Sequence, residues 1–176
     1  MILNLLGRLL IIYEDKIRVR LGMLTGRILA TTIKKKGANL ILLGFSRFLF
    51  RDKLWIGKNV RIGENCYFYC RGGLKIGDNT IISRNVVIYS ASHNYKGEKL
   101  PFDDTYITKK VIIGKNVWIG MNVNILPGVE IGEGAIIGLG ATITKNVKSG
   151  EIVGNVPFRV LSMRDMLKYK RITRDV

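Results

Sequence analysis

His93 is the only histidine in the 176-residue chain, and the residue best suited to move a proton at neutral pH. An imidazole with an ordinary pKa of about 6.5 can act as a general base there. It stands in Ser90-Ala91-Ser92-His93-Asn94, just ahead of a stretch, 94–106, in which the pattern of the surrounding chain breaks down. Asp103 and Asp104 in that stretch are candidates to orient the imidazole, a role a backbone carbonyl can also fill. A single histidine excludes chemistry that needs two or three imidazoles. Cys66 and Cys70 are the only cysteines, and with no histidine nearby they cannot complete a four-ligand zinc site. They are expected to be free thiols in a reducing compartment, and no metal is expected.

The charge offers a second kind of chemistry. Lys and Arg number 29 against 13 Asp and Glu, a net charge of +16. Residues 1–53 hold eleven basic and three acidic side chains, a net +8, and residues 159–176 hold six and two, a net +4. Such a balance concentrates anionic ligands. Phosphorylated small molecules and anionic head groups fit. Nucleic acid is not expected, because the Lys34–Lys36 run is short and no stacking-aromatic motif accompanies it.

A repeat must position these residues. Isoleucine recurs every six residues at Ile56, Ile62, Ile76, Ile82, Ile88, Ile107, Ile113, Ile119, Ile125, Ile131, Ile137 and Ile143, with Phe68 in the remaining place. The second place of the hexad is often Gly (Gly57, Gly77, Gly120), the fourth often Asn (Asn59, Asn85, Asn122), and the fifth small or Val. A period of six fits neither a helix nor simple strand alternation. It fits a short strand followed by a corner, repeated, with the aliphatic residue inward and Asn or Gly at the corner. Stacked coils then bury one another's apolar edges. Four full turns are expected to start at Ile56, Ile76, Ile107 and Ile125, and a partial one at Ile143. An insertion cannot enter such a wall, so 94–106 must leave at a corner, with His93 at its root.

Three parts follow: a basic helical segment 1–53, a β-helix over 54–160 with the loop 94–106 extruded, and a C-terminal helix 161–176. In the first, Ile17, Leu21, Leu24 and Ile28 lie on one helical line with Lys16, Arg18, Arg20 and Arg27 off it. That segment can cap the column's open end or lie on an anionic membrane through residues 1–32. In the last, Ser162 and Asp165 have capping-box spacing. The apolar start, Met1 to Tyr13, is interrupted and too short to span a bilayer, which takes about 20 residues. No small-residue cleavage site follows it, so the expected location is the cytoplasm, including the inner face of the membrane.

The hexads resemble those of the hexapeptide-repeat acyltransferases. The resemblance implies a mainly β fold, a left-handed parallel β-helix with three hexads to a triangular turn. "SHN", a long loop, "IGKNVWIGMNVNILPGVEIGEGAIIGLGATITKNV" and "GNVPFRV" are similar to the maltose and galactoside acetyltransferases and to capsular or lipopolysaccharide O-acetyltransferases. That likeness implies a homotrimer with acetyl-coenzyme A in a cleft between subunits and His93 as the base that takes the acceptor hydroxyl proton. By matching motif it also implies cofactor contacts at Trp118, Met121, Leu139, Thr144, Lys145 and Arg159. Where the maltose and galactoside enzymes hold the sugar with Asn and Asp, this chain has Gly63 and Arg71. Its basic helical start is more like enzymes that modify surface-polysaccharide precursors.

The expected function is acetyl-coenzyme A-dependent acetylation of a saccharide hydroxyl on a polysaccharide or lipid-linked precursor. An N-acetyltransferase acting on an amino sugar shares the fold and cofactor. A non-catalytic scaffold or membrane adaptor has no need of His93. A β-helix carbonic anhydrase is excluded by the histidine count.

Overall fold

The structure, a computed structural model, describes residues 6–7, 10–11, 13–154, 159–163, 166–167 and 170. It is a three-walled column of about six turns with one helix at its N-terminal end. Wall 1 stacks Leu54–Ile56, Leu74–Ile76, Val111–Ile113 and Glu130–Ile131. Single bridges extend it from Lys36 to Ile56 and from Ile131 to Val147. Wall 2 stacks Ile41–Leu42, Arg61–Ile62, Ile81–Ile82, Trp118–Ile119, Ile136–Ile137 and Glu151–Gly154. Wall 3 stacks Arg47–Leu49, Tyr67–Tyr69, Val87–Tyr89, Asn124–Ile125 and Thr142–Ile143. Neighbouring strands in these stacks are parallel and in register, so Ile56, Ile76, Ile113 and Ile131 lie one above another.

The hexad explains the walls. Ile56, Ile62, Ile76, Ile88, Ile119 and Ile143 have 0% exposure, and burying such a side chain is worth roughly 1.5–3 kcal/mol. The corners follow from the fourth place: Asn59, Asn65, Asn79, Asn85, Asn116 and Asn122 hold φ of 55–59°, which Asn tolerates better than most residues. Their amides bond up the column, with Asn39 Nδ2 donating to Asn59 and Asn59 to Asn79, and Asn65 to Asn85 and Asn85 to Asn122, at 2.9–3.0 Å. The glycine of the second place is there for room. A Cβ on Gly77 would lie 2.5 Å from the Gly114 carbonyl carbon on the next coil.

Three parts differ from the expectations. The column starts at Lys36 and not at 54, because residues 36–53 form a first coil. Leu42 pairs with Ile62 and Phe48 with Phe68. Gly37, Asn39, Leu42 and Phe48 all fit the hexad, but Lys36 occupies the aliphatic place. Its ammonium turns away to the Ile33 carbonyl at 2.8 Å, and Ile33, at 0% exposure, joins the core there.

Ile107 is not a wall residue. Tyr106–Thr108 pairs antiparallel with Ala91–His93, and the wall resumes at Val111–Ile113. The excursion therefore has a two-stranded stem, which satisfies the backbone of both its limbs. The turns expected to start at Ile107 and Ile125 start at Ile113 and Ile131, since Ile125 stacks on Ile88 in wall 3.

The helix expected to begin at 161 does not begin there: Arg159–Met163 is a strand, antiparallel to Glu151–Gly154. Beyond it, Met166, Leu167 and Lys170 have helical backbone, and the rest of 161–176 lies outside the described residues.

The N-terminal helix runs Val19–Thr31 after a π-helical turn, Tyr13–Arg18. It closes the base of the column through Leu29, joined by Ile33 just past its end, both part of the core. Cys66 and Cys70 are free and buried.

Candidate active site

The excursion leaves the edge where wall 3 turns into wall 1. Buried Ser90 fixes its root: its hydroxyl donates to the Tyr69 carbonyl and accepts from the Gly72 N–H, both at 2.9 Å. The chain returns where the Lys109 N–H donates to the Ser90 carbonyl at 2.9 Å. The outgoing limb is thus tied to the coil below, and the returning limb to the root of the outgoing one.

His93 ends the outgoing limb, paired with Tyr106 on the returning one. Its ring stacks on Phe102, with centroids 3.8 Å apart and planes 21° apart. On Tyr106 the centroids are 4.6 Å apart. The Arg71 guanidinium lies 3.7 Å over the Tyr106 ring and 5.3 Å over Phe50. Burial and a hydrogen bond with Tyr69 push the Tyr106 phenol above its usual range. The result is a continuous stack, Arg71–Tyr106–His93–Phe102, that sets the plane of an exposed imidazole.

Neither acid of the loop orients His93. The Asp103 carboxylate accepts from the Thr105 hydroxyl and backbone N–H, which hold it below the usual carboxylate range. Asp104 pairs with Lys99 at 3.4 Å in full solvent. Among the described residues the imidazole has no side-chain hydrogen bond, so aromatic stacking does the positioning expected of a carboxylate. Sequence reasoning does not single out Phe102 and Tyr106, because a carboxylate is the usual partner of a catalytic imidazole. The signal available was "FDDTY", two aromatic residues four apart at the far end of the loop.

The residues matched to cofactor contacts fall into two groups. Thr144 and Lys145 follow Thr142–Ile143 on wall 3, so they lie on the same edge as His93, further up the column, and both are exposed. Lys109 lies against Gly128 on the coil between them and adds a cation to that edge.

Trp118 projects from wall 2 with 52% exposure. Met121 and Leu139 lie just past it, where the Gly140 N–H donates to the Met121 carbonyl at 2.8 Å; Leu139 is 64% exposed. In a three-walled column the edge between walls 3 and 1 is opposite wall 2. One protomer therefore does not bring Trp118, Met121 and Leu139 together with His93. Arg159 opens the last strand, and its side chain lies outside the described residues.

Two grooves flank these features. One, of about 360 Å³, lies between the N-terminal helix and wall 2, lined by Arg18, Leu43, Arg61, Glu64, Arg84 and Met121, with Arg18 and Glu64 at 3.6 Å. The other, of about 350 Å³, lies on wall 1 and is lined by Trp55 and by Lys35, Lys53, Lys75 and Lys110. It adjoins the histidine edge, since Lys53 Nζ donates to the Arg71 carbonyl at 2.9 Å.

Comparison with known proteins places this architecture. A family model described as bacterial transferase hexapeptide (six repeats) matches residues 110–145, and one described as hexapeptide repeat of succinyl-transferase matches residues 53–90. A hexapeptide-repeat acetyltransferase of Vibrio cholerae, solved with acetyl-coenzyme A, is 25% identical with a TM-score of 0.70, over 89% of this chain and 84% of that one. The repeat models and this structure together support an acyltransferase.

The chain is also similar to a galactoside acetyltransferase solved with coenzyme A, at 26% identity and a TM-score of 0.71, covering 86% and 92% of the two chains. An N-acyltransferase of Bacillus cereus, solved with a dTDP-amino sugar and coenzyme A, shares the fold at 21% identity and a TM-score of 0.63, covering 85% and 95%. A search of curated proteins finds no match.

Proposed function

We propose that this acyltransferase moves an acetyl group from acetyl-coenzyme A to a hydroxyl of a saccharide, with His93 as general base. The observation that carries the reading is the His93 ring, stacked at the root of the column's one long excursion, on the edge that also bears Thr144 and Lys145.

A thioester is already activated, so no covalent enzyme intermediate is needed. His93 takes the hydroxyl proton as the oxygen attacks the thioester carbonyl. The carbon–sulfur bond then breaks, the ester departs, and the thiolate leaves as the thiol with the proton returned. Positioning and a general base account for most of such an acceleration. A hydroxyl needs that base far more than a neutral amine does, which favours an oxygen acceptor over the amino sugar of an N-acyltransferase. The residues present suit the cofactor: Trp118 and Leu139 offer outward apolar surface to a thin pantetheine chain, and Lys145 offers a charge-assisted bond to phosphate. The lysine groove beside Arg71 suits a phosphate-bearing acceptor such as a lipid-linked or polysaccharide precursor.

The two groups of residues lie on opposite sides of one protomer. The reading therefore requires the edge of one copy to face wall 2 of the next, as in a closed homotrimer. A thiol-release assay with His93→Ala tests the base: a loss of about 10²–10⁴ in kcat is expected, and unchanged turnover removes His93 from the chemistry. Mixing tests the shared site. His93→Ala and Trp118→Ala chains, inactive alone, should regain roughly a quarter of wild-type activity when reassembled together at random in a closed ring. No recovery refutes a site built from two copies.

A further inference from the structure

The N-terminal helix carries its apolar row on the side away from the column. Ile17 is 47% exposed, Leu21 52%, Leu24 54% and Ile28 59%. At about 100° per residue, Leu21, Leu24 and Ile28 share one face and Gly22, Gly26 and Leu29 the opposite one. It is the second face that docks. A Cβ on Gly26 would lie 2.0 Å from the Leu42 carbonyl oxygen, so the helix backbone rests directly on the segment Leu42–Gly44, and Leu29 is buried below it. Docking through glycine leaves the larger apolar side chains without a partner. Upstream, Leu6, Leu10 and Ile11 are exposed as well, at 57–68%.

Within the helix itself, what borders this row is positive. Val19–Thr31 contains no acidic residue. Arg20 and Arg27 border the row on one side, both exposed, and exposed Lys34 follows the helix. No helix among the described residues is long and apolar enough to cross a membrane.

We propose that this face docks on an anionic lipid surface, with Leu21, Leu24 and Ile28 in the acyl boundary and Arg20, Arg27 and Lys34 at the phosphates. An apolar row bordered by cations on a helix lying flat is the pattern of an interfacial helix. A second copy of the chain fits the charge badly, since it would set two segments of net +8 against each other. The inner face of the same helix caps the column, so capping and docking are assigned to opposite sides of one element. The proposal goes beyond the catalytic reading and does not rest on it.

The test is sedimentation of the full chain with vesicles, with no activity readout. Wild type should bind phosphatidylglycerol-containing vesicles and be released by salt, and should bind phosphatidylcholine vesicles only weakly. Leu21→Glu/Leu24→Glu/Ile28→Glu should lose about tenfold or more in partition, with an unchanged melting curve and an unchanged mass by light scattering. Arg20→Glu/Arg27→Glu, which leaves the row intact, should also lose about tenfold on anionic vesicles alone. Failure of wild type to bind anionic vesicles, or equal binding by the triple variant, overturns the proposal. So does a change of oligomeric mass in that variant, which would assign the face to another copy.

Discussion

The column and the helix that closes its base both carry a regular row of aliphatic residues, and they use the rows in opposite ways. In the column Ile56, Ile62 and Ile119 are wholly buried. In the helix Leu21, Leu24 and Ile28 are more than half exposed. The difference lies in what each element docks with. A coil has coils above and below, and three walls that face one another, so inward is the only place for a branched side chain. Among the described residues the helix meets the column along the backbone of Leu42–Gly44, and comes closest to it where its own side chains are absent, at Gly22 and Gly26. Periodicity identifies an element, and the smallest residues decide which side of it is hidden.

The contrast can be broken by substitution. Ile119→Ala removes a side chain packed at 0% exposure and should cost about 2–5 kcal/mol. Leu24→Ala on the helix should cost under about 0.5 kcal/mol. Urea unfolding of the two variants checks this, and equal losses would mean that the helix row is covered in the assembled protein. Gly26→Ala comes next. Its methyl cannot coexist with the Leu42 carbonyl, so the helix must lift, at an expected cost of about 1–3 kcal/mol, with Leu29 and Ile33 gaining solvent. Hydrogen exchange at Leu42–Gly44 should report it.

The smallest effect concerns the thiols. Burial pushes Cys66 up to about 11 and Cys70 up to about 12. Neither should react with a thiol reagent at pH 7–8 until the chain unfolds. A raised folded pKa favours the protonated thiol. This contribution to stability is therefore complete below about 9, the ordinary thiol value, and is lost as pH rises through 11 to 12. Melting curves in that range should shift down in wild type and less in Cys66→Ala/Cys70→Ala.

The walls were legible because each hexad repeats one physical demand, and Asn at positive φ marks the corners as clearly as isoleucine marks the faces. The first coil escaped because Lys36 interrupts the row and Ile33, from outside the hexad, fills the core in its place. Ile107 misled because the stem of the excursion happens to keep the spacing. His93 was found by its rarity and its place at an insertion. Its orientation by Phe102 and Tyr106 was not, since ring stacking across a loop leaves no fixed interval in the chain. The opposition of Trp118 and His93 follows from the order of walls alone, and so becomes visible once the turns are aligned.

A stack of parallel strands has no natural end, and its last rung can template another. Here the final rung of wall 2, Glu151–Gly154, is met by Arg159–Met163 running the opposite way. The first is met by a helix. With a reversed strand as lid and a helix as floor, the stack is kept from growing rung on rung into a fibre, and it remains a particle of fixed height.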